Sequence, residues 1–192
     1  MTLRKIALLG HPVLLEPARP VADPEDAEVR ALVRDMTETL ADSRGLGLAA
    51  PQVYNGLRVL LALEPGGDEV DRLAEPLVLI NPVLTPLDDR REAAFEGCLS
   101  IPGLRGLVPR HHSVGLAALD AEGRPVEREA KGLFARILQH EVDHLDGVLY
   151  LDRLTSPRHL AFDSELARLS AYLDEHAVAG RPLAESRPRS DS

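Results

Sequence analysis

The chain has 192 residues, 44% of them hydrophobic and 28% charged, which suits one globular domain with a full core and is short for two. Its formal net charge of −9 argues against nucleic-acid binding, DNA included, which draws on a basic surface. No stretch has the apolar length of a membrane span or of a secretory leader, and a single cysteine excludes an internal disulfide framework and fits a reducing cytoplasm.

Residues 1–22 read as irregular or extended, because His11-Pro12 and Ala18-Arg19-Pro20 break any helix. A first helix follows, with Asp23 as its cap, Pro24 in the first turn and Glu25 and Asp26 at the positive end of its dipole. Val29, Leu32, Val33, Met36 and Leu40 give it one apolar face, and Gly45 ends it. The stretch Gly45 to Gln52 joins glycines, small alanines and a proline, a backbone suited to close approach. It lacks the Lys-Ser/Thr ending of a phosphate loop.

Strands are expected over Leu57 to Leu63 and Leu77 to Leu84, joined by a turn at Gly66-Gly67, with residues 88–94 as surface loop. Glu96 to Gly103 reads as an irregular backbone fixed by glycine and proline around Cys98. Val114 to Leu119 and Val126 to Arg128 flank Asp-Ala-Glu-Gly, a hairpin signal. A helix is expected from Ala130 to Asp146, then a strand from Val148 to Leu151. A last helix runs from Pro157 to about Ala177, capped by Ser156. Residues 1–180 form one domain in this reading, and residues 181–192, rich in Arg, Pro and Ser, a disordered tail.

Chemistry concentrates in Gln139-His140-Glu141-Val142-Asp143-His144. On a helix of 3.6 residues per turn, His140 and His144 stack on one face and can hold one divalent metal, with Glu141 as general base toward water. A catalytic site of this kind has three protein ligands. The third is open: Glu165 in the last helix, or Cys98, the one thiol, since a third histidine fails where Tyr150 stands. His11, His111, His112, His159 and His176 have no motif around them and read as surface or satisfied polar residues.

Three blocks, Gly45 to Gln52, Glu96 to Ser100 and Gln139 to His144, resemble in sequence, order and spacing the three signature motifs of the peptide deformylases. Asn81-Pro82, Ile101-Pro102-Gly103 with Arg105, and His144 through Arg153 are also similar to that family, over roughly residues 3 to 155. One departure is Tyr54, where members of the family usually carry glycine.

The resemblance implies that Cys98, His140 and His144 bind the metal, commonly Fe2+, with Zn2+, Ni2+ or Co2+ as substitutes. It gives Glu141 the proton transfers from water to leaving amine, and Gln52 with the Leu99 N–H the stabilisation of the oxyanion. Backbone around Leu46, Gly47 and Gly97 would pair with an extended peptide, Arg105 would stand near the substrate channel, and Leu133 and Ile137 would wall a slot for a methionine side chain.

The implied fold is α+β: antiparallel strands around a central metal-binding helix, with an N-terminal and a C-terminal helix. The implied activity is hydrolytic removal of formate from N-formylmethionyl peptides in the cytoplasm. Arg181, Arg187 and Arg189 allow a contact with the ribosome, whereas Glu185 and Asp191 among them favour a merely solvated tail. Two rival readings are a peptidase that uses Glu165 as third ligand and a non-enzymatic scaffold. The latter has no need of a base at Glu141 or an amide at Gln52.

Overall fold

The structure, a computed structural model, describes residues 3–43, 45–66 and 74–178. The expected tail at 181–192 and the Gly67 half of the expected turn lie outside them. Helix α1 (Ala27–Ser43) carries the predicted apolar face. Its first turn is capped three residues later than expected: Asp26 accepts from the Glu28 N–H at 2.7 Å, while Asp23 closes the preceding turn through the Glu25 N–H.

Strands β1 (Gly47–Ala49), β2 (Val59–Ala62), β3 (Leu77–Pro86), β6 (Ser113–Leu119) and β7 (Pro125–Lys131) make a five-stranded antiparallel sheet, in the order β1-β2-β3-β6-β7. Strand β2 shows why the sheet is buried on both sides. Val59 and Leu61 point to α1, while Leu60 and Ala62 point to helix α2 (Gly132–Leu145), in the two-residue alternation of a strand. Phe134, Leu138 and Leu145 seat α2 on its side of the sheet, and Leu32, Met36 and Leu40 seat α1 on the other.

A second, three-stranded antiparallel sheet covers the remaining flank of α2. It is built of β4 (Arg91–Cys98), β5 (Ile101–His111) and β8 (Leu160–Phe162), in the order β4-β5-β8. The N-terminal segment ties the two sheets together near their edges. The Ala7 N–H donates to the Gln52 carbonyl and the Leu9 N–H to the Ser100 carbonyl, each at 2.8 Å. Asn81, in left-handed backbone at φ 54°, holds the same segment by accepting from the Val21 N–H and donating to its carbonyl, where the β3–β6 register slips.

The expected architecture is present, with α1, α2 and α3 (Leu166–Val178) as the N-terminal, central and C-terminal helices. Several expectations need correction. Residues 91–94, read as loop, begin β4, and the backbone from Glu96 to Gly103 forms a hairpin whose turn is Leu99-Ser100. Val148 to Leu151 is not a strand: Tyr150–Arg153 is a short 3-10 turn, in which Asp152 accepts from the Leu149 N–H. The last helix starts at Leu166, because Leu160–Phe162 pairs with β5 and that long-range ladder overrides the helical spacing of the leucines. Among the described residues no helix is long and apolar enough to cross a membrane.

Candidate metal centre

Helix α2 sets His140 and His144 one turn apart on the face turned to β4, and β4 ends on Cys98. One ligand atom from each of Cys98, His140 and His144 can be chosen so that all lie within 4.8 Å of one another. Cys98 Sγ stands 3.2 Å from His144 Nε2, and His140 Nδ1 meets Glu96 Oε2 at 2.9 Å, which leaves His140 Nε2 for the cluster. His144 is 1% exposed, and burial together with the charges of His140 and Arg110 keeps its imidazole neutral, as a ligand must be.

The surroundings favour positive charge at this point. Burial opposes it on His140, yet bonds to Cys98 and Glu96 and the charge of Glu141 lift that imidazole's pKa to about 10. One thiol, two imidazoles and two neighbouring carboxylates are a donor set that a divalent cation satisfies, so the residues fit a metal ion. Glu141, between the two histidines, is raised to about 7 by burial, with the Glu96 charge adding and those of His140 and Arg110 opposing. Its Oε2 is buried and finds no hydrogen-bond partner among the described residues, the condition of a carboxylate that can take and return a proton near neutral pH.

A buried ionic network holds this cluster in place. Glu96 accepts from Arg110 at 3.0 and 2.9 Å and from Arg136 at 2.7 Å as well as facing His140, and it stays ionised at about 2 although burial works against that. Arg110 reaches on to Asp143, which also takes two bonds from Arg153, at 3.1 and 2.6 Å. The chain of charges therefore runs from His140 through Glu96, Arg110 and Asp143 to Arg153, and it orients the ring that the cluster uses. Glu96, His140 and Asp143 stood in quoted motifs, and Arg153 closed the last stretch similar to the family. Arg110 and Arg136 carried no local signal, since their partners are distant in sequence.

Gln52 closes another side. Its Oε1 accepts from the Ala49 N–H at 2.9 Å, so its Nε2 must face Cys98 Sγ, at 3.5 Å, and Ser100 Oγ, at 3.3 Å. Leu99 sits in the adjacent turn. A cavity of about 420 Å3 opens here, lined by Gln52, Cys98, Leu99, His140 and Glu141 and by all six residues expected to meet substrate: Leu46, Gly47, Gly97, Arg105, Leu133 and Ile137. Two sheet edges that are free among the described residues, β1 and β4, border it.

Gly47 is a matter of space. A Cβ there would stand 2.5 Å from Glu141 Oε1, so any larger residue would push the carboxylate aside. Glu165 is not part of the centre; it is exposed and bonded to Arg168 at 2.7 and 3.0 Å. His159 departs from its surface reading: it is buried, with Nδ1 against Thr155 Oγ1 at 3.1 Å and Nε2 without a partner.

Comparison with known proteins agrees with this geometry. The family model described as polypeptide deformylase matches residues 3–159. Peptide deformylase 1 of Nitrosomonas europaea is 43% identical over 166 residues, covering 85% of this chain and 94% of that protein. Among solved structures, the Met-Ala-Ser-bound class I type b peptide deformylase of Acinetobacter baumannii superposes with a TM-score of 0.73 at 34% identity, covering 80% of this chain and 99% of the other. The actinonin complex of a Synechococcus elongatus peptide deformylase gives 0.72 at 36% identity, over 91% and 86%. A match that spans most of the chain and takes in Gln52, Cys98, His140, Glu141 and His144 places this protein in the polypeptide deformylase family.

Proposed function

We propose that Cys98, His140 and His144 hold a ferrous ion, with zinc, nickel or cobalt as substitutes, and that around it this deformylase removes the formyl group from N-formylmethionyl peptides. The observation that carries the reading is the three-donor cluster with the buried Glu141 carboxylate beside it, its Oε2 without a partner among the described residues, in a cavity between two strand edges. The cluster and the family together imply a metal ion. When bound, such an ion polarises the formyl oxygen and makes water nucleophilic near neutral pH.

The protein's own groups supply the rest. Glu141 takes a proton from the attacking water and passes it to the amine that leaves, in a site where burial has already brought its pKa to the working range. Gln52 Nε2, fixed by the Ala49 N–H, and the Leu99 N–H donate to the formyl oxygen as it gains charge, each worth on the order of 3 kcal/mol of barrier. The peptide lies extended between β1 at Gly47 and β4 at Gly97, its methionine side chain against Leu133 and Ile137. With Glu141 filling the space beside Gly47 and Arg105 that beside Gly97, the centre is cramped, suited to a one-carbon acyl group and closed to larger ones. In this reading the enzyme works in the cytoplasm on chains leaving the ribosome. Any ribosome contact through Arg181, Arg187 and Arg189 falls outside the described residues.

The test is formate release by protein purified without oxygen and loaded with ferrous iron, given N-formyl-Met, N-acetyl-Met and unblocked forms of one peptide. Formate from the first substrate alone is expected. Cleavage inside the unblocked peptide, or no reaction with metal bound, would overturn the reading.

A further inference from the structure

The ladder between β4 and β5 breaks beside the metal centre. Glu96 pairs with Gly106 and Cys98 with Ile101, so Gly97 alone stands opposite the segment Pro102 to Arg105. That segment swings away from β4, while on the other edge of β5 strand β8 pairs with its end, Leu104 opposite Phe162, Arg105 opposite Ala161 and Gly106 opposite Leu160. The Arg105 side chain turns back into the opened gap. A Cβ on Gly97 would stand 2.7 Å from Arg105 Cζ and 3.0 Å from its Cδ, so a glycine is needed for the guanidinium to lie there.

Just beyond β8, Asp163 accepts from Arg105 Nε at 2.7 Å. The two side chains are 44% and 51% exposed, and an ion pair so open to water adds little to stability. It does, however, fix a charged group in the lining of the substrate cavity, next to the strand edge along which a peptide would leave the centre.

We propose that Asp163 is a positioning residue that holds Arg105 over Gly97 and balances its charge, so that the groove accepts acidic and basic residues after the methionine about equally. This rests on the deformylase reading. Without the Asp163 carboxylate, a lone cation borders the groove and favours acidic residues in the substrate; without Arg105, a lone anion favours basic ones. A unit charge at a few ångströms in a water-like medium changes kcat/KM by about fivefold.

The experiment measures formate release from formyl-Met-Ala-Glu-amide and formyl-Met-Ala-Lys-amide, each relative to formyl-Met-Ala-amide in the same enzyme. The acidic-to-basic ratio of kcat/KM should be close to one in the parent. It should rise about 25-fold in Asp163→Asn, a fivefold gain on the acidic peptide against a fivefold loss on the basic one, mainly through KM, reverse in Arg105→Gln, and return in Asp163→Glu. An unchanged ratio in Asp163→Asn and Arg105→Gln, or an equal loss on all three peptides, would assign the pair a structural role and overturn the inference. No formate from any formyl peptide with the metal-loaded parent would overturn the deformylase reading, and this inference with it.

Discussion

Helices α1 and α2 pack on opposite faces of the same sheet, yet they bury different things. The side of α1 that meets the sheet is Val29, Leu32, Met36 and Leu40, apolar throughout apart from Thr39. Helix α2 meets the sheet through Phe134, Leu138 and Leu145, and its remaining flanks bury Glu141, Asp143 and His144. Burying ionisable groups is unfavourable unless each is paired, and α2 meets that condition at Asp143 through Arg110 and Arg153. It does not meet it at Glu141, whose Oε2 has no partner among the described residues. One helix thus packs the sheet with apolar groups, and the other gives up some stability to keep an unpaired carboxylate beside the candidate metal centre.

The largest effect that would sharpen this contrast is at Glu141. Glu141→Gln keeps the shape and removes the base, and formate release should fall about a thousandfold. Metal content should hold, and the thermal midpoint should stay level or rise, because the amide needs no counter-charge. A midpoint several degrees lower would mean that Glu141 serves the fold after all.

Arg110→Ala comes next. It strips a partner from both Glu96 and Asp143, and the unfolding free energy should drop by about 3 to 5 kcal/mol in denaturant titration. Activity should fall as well, since Glu96 orients His140. A loss under about 1 kcal/mol would show that Arg136, Arg153 and His140 satisfy the two carboxylates without it.

Met36→Ala probes the other face. Met36 is fully buried, so truncation should lower stability by about 2 to 5 kcal/mol, while formate release per folded molecule stays at the parental rate below the new midpoint. A lowered rate would couple α1 to the chemistry and erase the contrast between the faces.

The same two faces differ in how far they could be read in advance. Spacing of Val29, Leu32, Met36 and Leu40 is enough to find α1, and His140 and His144 at helical spacing are enough to find α2, because both patterns are local. Strand β5 was not legible. Pro102, Gly103, Gly106 and Pro109 look like loop, and they form strand because β4 and β8 supply the partners. Strand β8 was read as helix for the converse reason: Leu160 continues the leucine spacing of α3, and only β5 tells them apart. At the centre, Cys98 and Gln52 were found through a resemblance between motifs. Arg110 was missed because its role exists only once β5 has brought it between Glu96 and Asp143.

The smallest expected effect is at Tyr54, the departure from family pattern that follows Gln52 closely in the chain. Tyr54 holds left-handed backbone at φ 60°, which costs a non-glycine residue about 1 kcal/mol. Its ring meets His11 edge-on, centroids 4.9 Å apart, a contact worth about 0.5 to 1.5 kcal/mol that ties the N-terminal segment to the Gln52 turn. Tyr54→Gly relieves the strain but loses the contact and frees the unfolded chain by about 0.4 to 1 kcal/mol, so its midpoint should fall by only about 2 °C. Tyr54→Ala keeps the strain and loses the contact, with a similarly small drop. His11→Ala separates the parts: if it lowers the midpoint as far as Tyr54→Ala does, the aromatic pair carries the effect, and if it changes nothing, the ring at Tyr54 packs against the chain without help from His11.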